Sequence, residues 1–384
     1  MKTSEELYEK VNTFIDKLAY NREPKSLYDP IKYVLSLGGK RIRPVLMLLG
    51  YNLWKDDPER ILMPAVAVET YHNYTLLHDD LMDNADKRRG HDTVHKKWDA
   101  NTAILSGDAM LVVAYQRLAS VDQTKLKPVL DLFTETALEI DEGQQFDIDF
   151  ENRSDVKEEE YIEMIRLKTS VLLACALKIG AILANAPVTD AEALYKFGEQ
   201  LGLAFQLQDD LLDVYGDTKV FGKEIGGDIM CNKKTFMLIN AFNRANDAQL
   251  KELQKWCSGE KFDRKEKVAA VTHLYDEIGI RQLCEAKIEY YFEESKKWLD
   301  KVSVPEERKA HLRAYIRKHM IDRKLFGKYT LQGLLDELDI IECFKQPGKD
   351  PYIGEILTKQ RDIYCAMDVQ APESIASLCI DAGM

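Results

Sequence analysis

Apolar residues recur along most of this chain at three- and four-residue spacing, as in "KELQKWC" and "EAKIEYYFEESKKWLDKV". That is the period of a helix with one buried face. Glycine and proline fall mostly between such runs, and no series of short alternating segments joined by hairpin turns is found. The fold class is therefore all-α. Helices are predicted at about 3–20, 26–37, 41–53, 58–84, 99–119, 125–146, 158–184, 189–214, 233–245, 247–257, 264–297 and 305–322. The connections around "GGKRIRP", "DKRRGHDT" and "VYGDTKVFGKEIGGD" each carry glycine and at least two basic residues. Loops of that kind on a helical scaffold are where function collects.

From residue 325 the periodicity weakens, prolines appear and acids outnumber bases. The expected organisation is a helical domain over 1–324 and an appendage over 325–384, with short helices near 331–342 and 354–366. Composition changes little in this picture. With 45% hydrophobic and 31% charged residues the chain is an ordinary globular one. A net charge of −12 argues against nucleic acid as a partner. The most apolar stretch, "SVLLACALKIGAILANAP", is interrupted by Lys178 and reads as a buried helix, not a membrane span. The charged start lacks the apolar run of a secretory signal. Seven scattered cysteines with no CxxC pair suit free thiols in a reducing cytosol, so the expected location is cytoplasmic.

Chemistry concentrates at two helix ends. "TLLHDDLMDNADKRRG" holds Asp79, Asp80 and Asp83, followed by three consecutive bases. On a helix, positions i and i+4 share a face, so these carboxylates crowd one volume and call for cations. Hard oxygen ligands that leave room for water and phosphate suit Mg²⁺. A single such triplet is equally well a solvated acidic face. "FQLQDDLLDVYGD" repeats the pattern L-x-D-D-L-x-D at Asp209, Asp210 and Asp213, 130 residues further on. An internal repeat would explain the match but not the need for counter-charge. Two facing triplets would clamp divalent ions around a diphosphate and stabilise its departure. "LGGKRIRP" sets Lys40 and Arg43 at a helix start after two glycines, a diphosphate site that needs no metal. His72 lies two helical turns before Asp79 on nearly the same face. His78 reads as structural, hydrogen-bonded near Asp79.

"GGKRIRP", "LLHDDLMDNADKRRG", "GQQFD" and "QDDLLD", in this order, resemble the trans-isoprenyl diphosphate synthases, which include the farnesyl, geranylgeranyl and longer-chain enzymes. The likeness is clear over about 30–240 and looser to about 322. It implies an isoprenoid synthase-type antiparallel helical bundle around a deep central cavity, paired into a homodimer. By the same resemblance Asp79, Asp83 and Asp209 ligate Mg²⁺, three ions per site, with Asp80, Asp210 and Asp213 in support. Lys40, Arg43, His72 and Arg89 would hold isopentenyl diphosphate. Arg88, Lys168, Thr169, Lys223 and Lys233 would close on the allylic diphosphate, whether dimethylallyl, geranyl or farnesyl. Gln206 would face the carbocation with its amide oxygen, and Gln144 and Gln145 would line the same cavity. The loop 215–232 would act as a lid.

The implied reaction is Mg²⁺-assisted ionisation of the allylic substrate, attack by the isopentenyl double bond, and loss of a proton. Tyr74, five residues before Asp79, would act as a floor for the growing chain and limit the product to fifteen or twenty carbons. A tyrosine packed in the core would look the same. Two competing readings remain: a class I terpene cyclase, and a non-catalytic partner subunit of a prenyl synthase. The first lacks the GGKR element, and the second usually loses one aspartate motif. The tail faintly resembles the C-termini of some insertion-sequence transposases.

Overall fold

The segment "VLLACALKIGAIL" is apolar on every side except at Lys178, so it forms a helix only where other helices cover nearly all of it. The computed structural model, which describes residues 2–18, 20–216, 225–258 and 261–321, puts it at the centre of the fold. In chain order the first helices are α1 (Ser4–Asp16), α2 (Lys25–Ser36), α3 (Ile42–Asn52) and α4 (Leu62–Met82). A two-stranded ribbon, β1 (Lys87–Arg88) with β2 (His91–Asp92), follows. Then come α5 (Val94–Lys97), α6 (Ala100–Leu118), α7 (Gln123–Glu151), α8 (Glu158–Ile165), a π-helical turn (Arg166–Ser170) and the central α9 (Val171–Leu183). The rest is α10 (Val188–Tyr215), α11 (Gly227–Met230), α12 (Phe236–Arg244), α13 (Asp247–Trp256), α14 (Arg264–Ile278), α15 (Ile280–Asp300) and α16 (Glu306–Ile316).

Helix α9 packs against α3, α7 and α10, while α4 packs against α3 and α6, and α15 covers the far side of α10. The class is all-α, as the periodicity requires, but three local features differ from the sequence expectation. The helix predicted at 158–184 runs through but holds a π turn in its middle, where Gly143 of α7 and Gly202 of α10 approach it closely. A Cβ at Gly143 would lie 2.4 Å from the Lys168 nitrogen, and one at Gly202 would lie 2.5 Å from the Ser170 Cα. The helix predicted at 264–297 is split at Gly279, whose φ of 80° ends α14 in a left-handed cap. The "KRRGHD" connection is a hairpin, with positive φ at both Arg89 (53°) and Gly90 (81°), the two-residue turn that suits strand twist.

Among the described residues no helix is long and apolar enough to cross a membrane. Lys223, the middle of the expected lid, and the appendage with its two short helices lie outside the described residues.

Candidate active site

The acidic end of α4, the basic ribbon after it, the start of α3, the π turn and α10 border one cavity of about 1490 Å³. Asp79 and Asp80 line it from α4, and Asp209 lines it from α10. The two motifs, distant in sequence, therefore reach one volume. Asp83 is the C-cap of α4. Loss of water and the neighbouring Asp79 push its carboxyl up, while Lys168 and Lys233 oppose the shift.

The middle aspartates behave differently. Asp80 is chelated by Arg88, whose Nε donates to Oδ1 at 2.8 Å and to Oδ2 at 2.9 Å. Even so, burial pushes Asp80 up to about 6. Asp210 is buried and does not line the cavity. It accepts from the Tyr161 hydroxyl at Oδ2 and from Gln206 Nε2 at Oδ1, 3.0 Å. Burial and the charge of Asp228 hold its carboxyl well above the usual range. Asp213 also lies off the cavity, accepting the Asp228 backbone N–H at 3.0 Å and so capping α11.

Cations converge from two sides. Arg43, in the first turn of α3, places NH1 3.0 Å from His72 Nε2 on α4. Burial lowers the Arg43 guanidinium to about 10. Burial first, then Arg43, Arg89 and Arg88, push His72 well below its ordinary range, so it is a neutral imidazole accepting from Arg43. Behind this pair, Arg41 donates to Glu69 at 2.7 Å with both side chains buried, which anchors the left-handed turn (φ 49°) that starts α3. Lys40 lines the cavity from the same turn. Arg89 donates to the Gly38 carbonyl, joining the ribbon to the glycine loop.

On the opposite side the π turn projects Lys168 and Thr169 into the cavity together. Lys168 Nζ lies 2.7 Å from Asp147 Oδ2 and 3.5 Å from Asp79 Oδ1. Lys233 Nζ sits 3.3 Å from the same Asp147 oxygen. Thr169 Oγ1 donates to Gln206 Oε1 at 3.0 Å, so the amide oxygen of Gln206 already has a partner. Gln144 lines the cavity, whereas Gln145 turns to Asp149 on its own helix, 2.8 Å away, and does not line it. His78 is not bonded at Asp79: its Nε2 meets the Ile104 carbonyl at 3.2 Å. Tyr74 is half-buried on the cavity wall.

Three residues beyond the expected set matter here. Asp147, the last residue of "GQQFD", bridges two lysines. Its position four after Gly143, which touches the Lys168 backbone, was the available signal. Tyr161 and Glu69 carried none, because their partners are 49 and 28 residues away.

The donor set fits Mg²⁺. Asp79, Asp80 and Asp209 offer hard carboxylate oxygens on one cavity. No group of three His, Cys, Asp or Glu is preassembled around a single point among the described residues. Magnesium ordinarily takes one or two carboxylates and completes its octahedron with water and substrate phosphate, which this arrangement allows.

The profile of the polyprenyl synthetase family matches residues 24–276. The short chain isoprenyl diphosphate synthase of Methanocaldococcus jannaschii is 42% identical over 246 residues, 64% of this chain and 73% of that one. The geranylgeranyl diphosphate synthase of Methanosarcina mazei is 43% identical over 236 residues, 61% and 73% of the two chains. Among solved structures, a geranylgeranyl pyrophosphate synthase superposes with a TM-score of 0.80 at 42% identity, over 83% of this chain and 99% of that one. The Pyrococcus horikoshii geranylgeranyl pyrophosphate synthetase gives 0.77 at 32% identity, with the same coverage. The chain belongs to the polyprenyl synthetase family and is a short-chain prenyltransferase on the isoprenoid synthase fold.

Proposed function

We propose that this enzyme condenses isopentenyl diphosphate with an allylic diphosphate, using Mg²⁺, and stops at fifteen or twenty carbons. The observation that carries the reading is Asp79 and Asp209 lining one cavity with the Arg43–His72 pair on one side and Lys168 on the other. Names of similar enzymes, several of them geranylgeranyl synthases, favour twenty carbons.

Lys40, Arg43 and Arg89 hold the isopentenyl diphosphate by charge, with His72 orienting Arg43. Arg88, Lys168 and Lys233 hold the allylic diphosphate. Asp79 and Asp209 on the cavity, with Asp83 beside Asp79 at the end of α4, would hold the metal, which would neutralise charge on the leaving diphosphate. Asp147 keeps Lys168 and Lys233 together before the diphosphate arrives. Thr169 and Asp210 fix the Gln206 amide at the cavity wall. The surrounding helices exclude water from the cation.

Two subunits are proposed to pair through the apolar face of α6 and α7, where Leu105, Val112 and Leu138 are 59%, 67% and 56% exposed. The scattered thiols fit a cytoplasmic location. Catalysis is assigned to residues 1–324, so truncation after residue 324 should leave it intact.

The test is product analysis of the full chain with isopentenyl diphosphate, Mg²⁺ and dimethylallyl, geranyl or farnesyl diphosphate in turn. Linear products of fifteen or twenty carbons, lost on chelation, are expected. Cyclised hydrocarbon, or no condensation with any primer, would overturn the proposal.

A further inference from the structure

Tyr74 does not stand alone on the cavity wall. It lies on α4 one turn before His78, and the two rings meet edge to face, with centroids 4.8 Å apart and planes at 67°. On its other side Tyr71 leans on Tyr74 at 5.4 Å and is itself pinned by Phe133 at 5.0 Å. The Tyr71 hydroxyl also donates to the Ala137 carbonyl at 3.3 Å. Tyr71 is fully buried and cannot yield, so the pose of Tyr74 depends on its other neighbour.

His78 is held from behind by α6. Its Nε2 faces the Ile104 carbonyl at 3.2 Å; a carbonyl only accepts, so Nε2 carries the proton. The ring packs against Gly107. A Cβ added there would stand 2.2 Å from Nε2 and 2.6 Å from Cδ2, distances that no side chain tolerates without moving. Glycine at 107 therefore makes the slot that the imidazole occupies. Gly107 is buried and does not itself line the cavity.

We propose that His78, seated in the slot at Gly107, is a specificity-determining residue: it buttresses Tyr74 and so sets where the growing prenyl chain stops. The inference rests on the reading of Tyr74 as the floor of the cavity. It adds a relay from α6, through Gly107 and His78, to that floor. Opposite perturbations then have opposite signs. Removing the imidazole frees Tyr74 to swing towards α6 and deepens the cavity. Filling the slot drives the imidazole away from α6 towards the cavity and makes it shallower.

The experiment compares the chain lengths of products from the full-length enzyme and the variants Y74A, H78A, G107A and H78A/G107A. Each is incubated with isopentenyl diphosphate, the preferred allylic primer and Mg²⁺. H78A is expected to lengthen the main product by one five-carbon unit, and G107A to shorten it by one. The double variant should follow H78A, because the added methyl no longer meets a ring. A loss of folding would lower yield but would not move chain length in opposite directions. If G107A fails to fold, the slot is tested by the double variant instead, which has no clash and should fold and give the H78A product. A double variant that also fails to fold would overturn the slot. The proposal fails if Y74A lengthens the product while H78A leaves it unchanged. If Y74A leaves the length unchanged, the floor reading fails instead, a result separable from the first.

Discussion

Asp80 and Asp210 hold the same place in two matching motifs, yet their surroundings have little in common. Asp80, at the end of α4, has an arginine Nε–H shared between its two oxygens. Asp210, at the end of α10, has a tyrosine hydroxyl and an amide. Both carboxyls are buried and both are pushed up, Asp80 to about 6 and Asp210 further. The difference follows from the partners. A guanidinium compensates a desolvated charge, whereas neutral donors offset less of it, so burial raises Asp210 further. One motif thus leans on a base that follows it in sequence, the other on neutral hydrogen-bond donors inside the helix packing. The outer residues diverge too: Asp83 stays exposed at the cap of α4, while Asp213 is consumed in capping α11. Of the second triplet, only Asp209 is left on the cavity.

The largest effect should come where the two motifs are equivalent. Asp79→Ala and Asp209→Ala are each expected to lower kcat/KM by roughly 10³-fold, the scale for losing a group that stabilises the departing charge. Steady-state assays across a Mg²⁺ titration check this. A fall of less than tenfold in one of them would mean that one motif serves alone. The middle positions should then separate. Asp80→Asn leaves Arg88 without its carboxylate and is expected to lose about 10–100-fold, as for supporting groups around a metal. Asp210→Asn keeps the shape and leaves the neutral donors Tyr161 and Gln206 in place, and should lose less than about tenfold. Equal losses in the two variants would show that the carboxyls are alike and erase the contrast.

How much of this was legible in the sequence depends on the range of each interaction. Helix identity follows from local period, so α4, α6 and α10 fall within a few residues of expectation. The motif pairing at Asp79 and Asp209 was readable because repetition is visible without coordinates. The π turn was not. Arg166–Ser170 is an unremarkable stretch of helix formers, and the turn belongs with pressure from Gly143 and Gly202, two residues on other helices. The break at Gly279 was readable in principle, since a glycine inside a helical run often marks a left-handed cap. The run of apolar residues through Ile278 and Ile280 masked it. The roles of Asp213, Gln145 and His78 each turned on a partner outside the motif that holds them, and no local pattern states that.

The gentlest test of the contrast is Tyr161→Phe. It keeps the ring in place and removes only the hydroxyl that donates to Asp210 Oδ2. That oxygen is then buried without a partner, an expected loss of about 1–3 kcal/mol of stability. The loss is read as a lower urea midpoint at unchanged slope. Its effect on activity should be confined to kcat. Asp210 still accepts from Gln206, but with one anchor gone the amide that also bonds Thr169 is held less firmly at the cavity wall. KM for isopentenyl diphosphate should not move, because Arg43 and His72 sit on other helices and share no hydrogen bond with this group. The matching change on the other side, Arg88→Lys, removes the Nε–H that both Asp80 oxygens share and should raise KM for the allylic substrate. A Tyr161→Phe enzyme with the parent's midpoint would mean that the hydroxyl is dispensable. The Asp210 carboxyl would then rest on Gln206 alone, and the difference between the two motifs would reduce to the arginine.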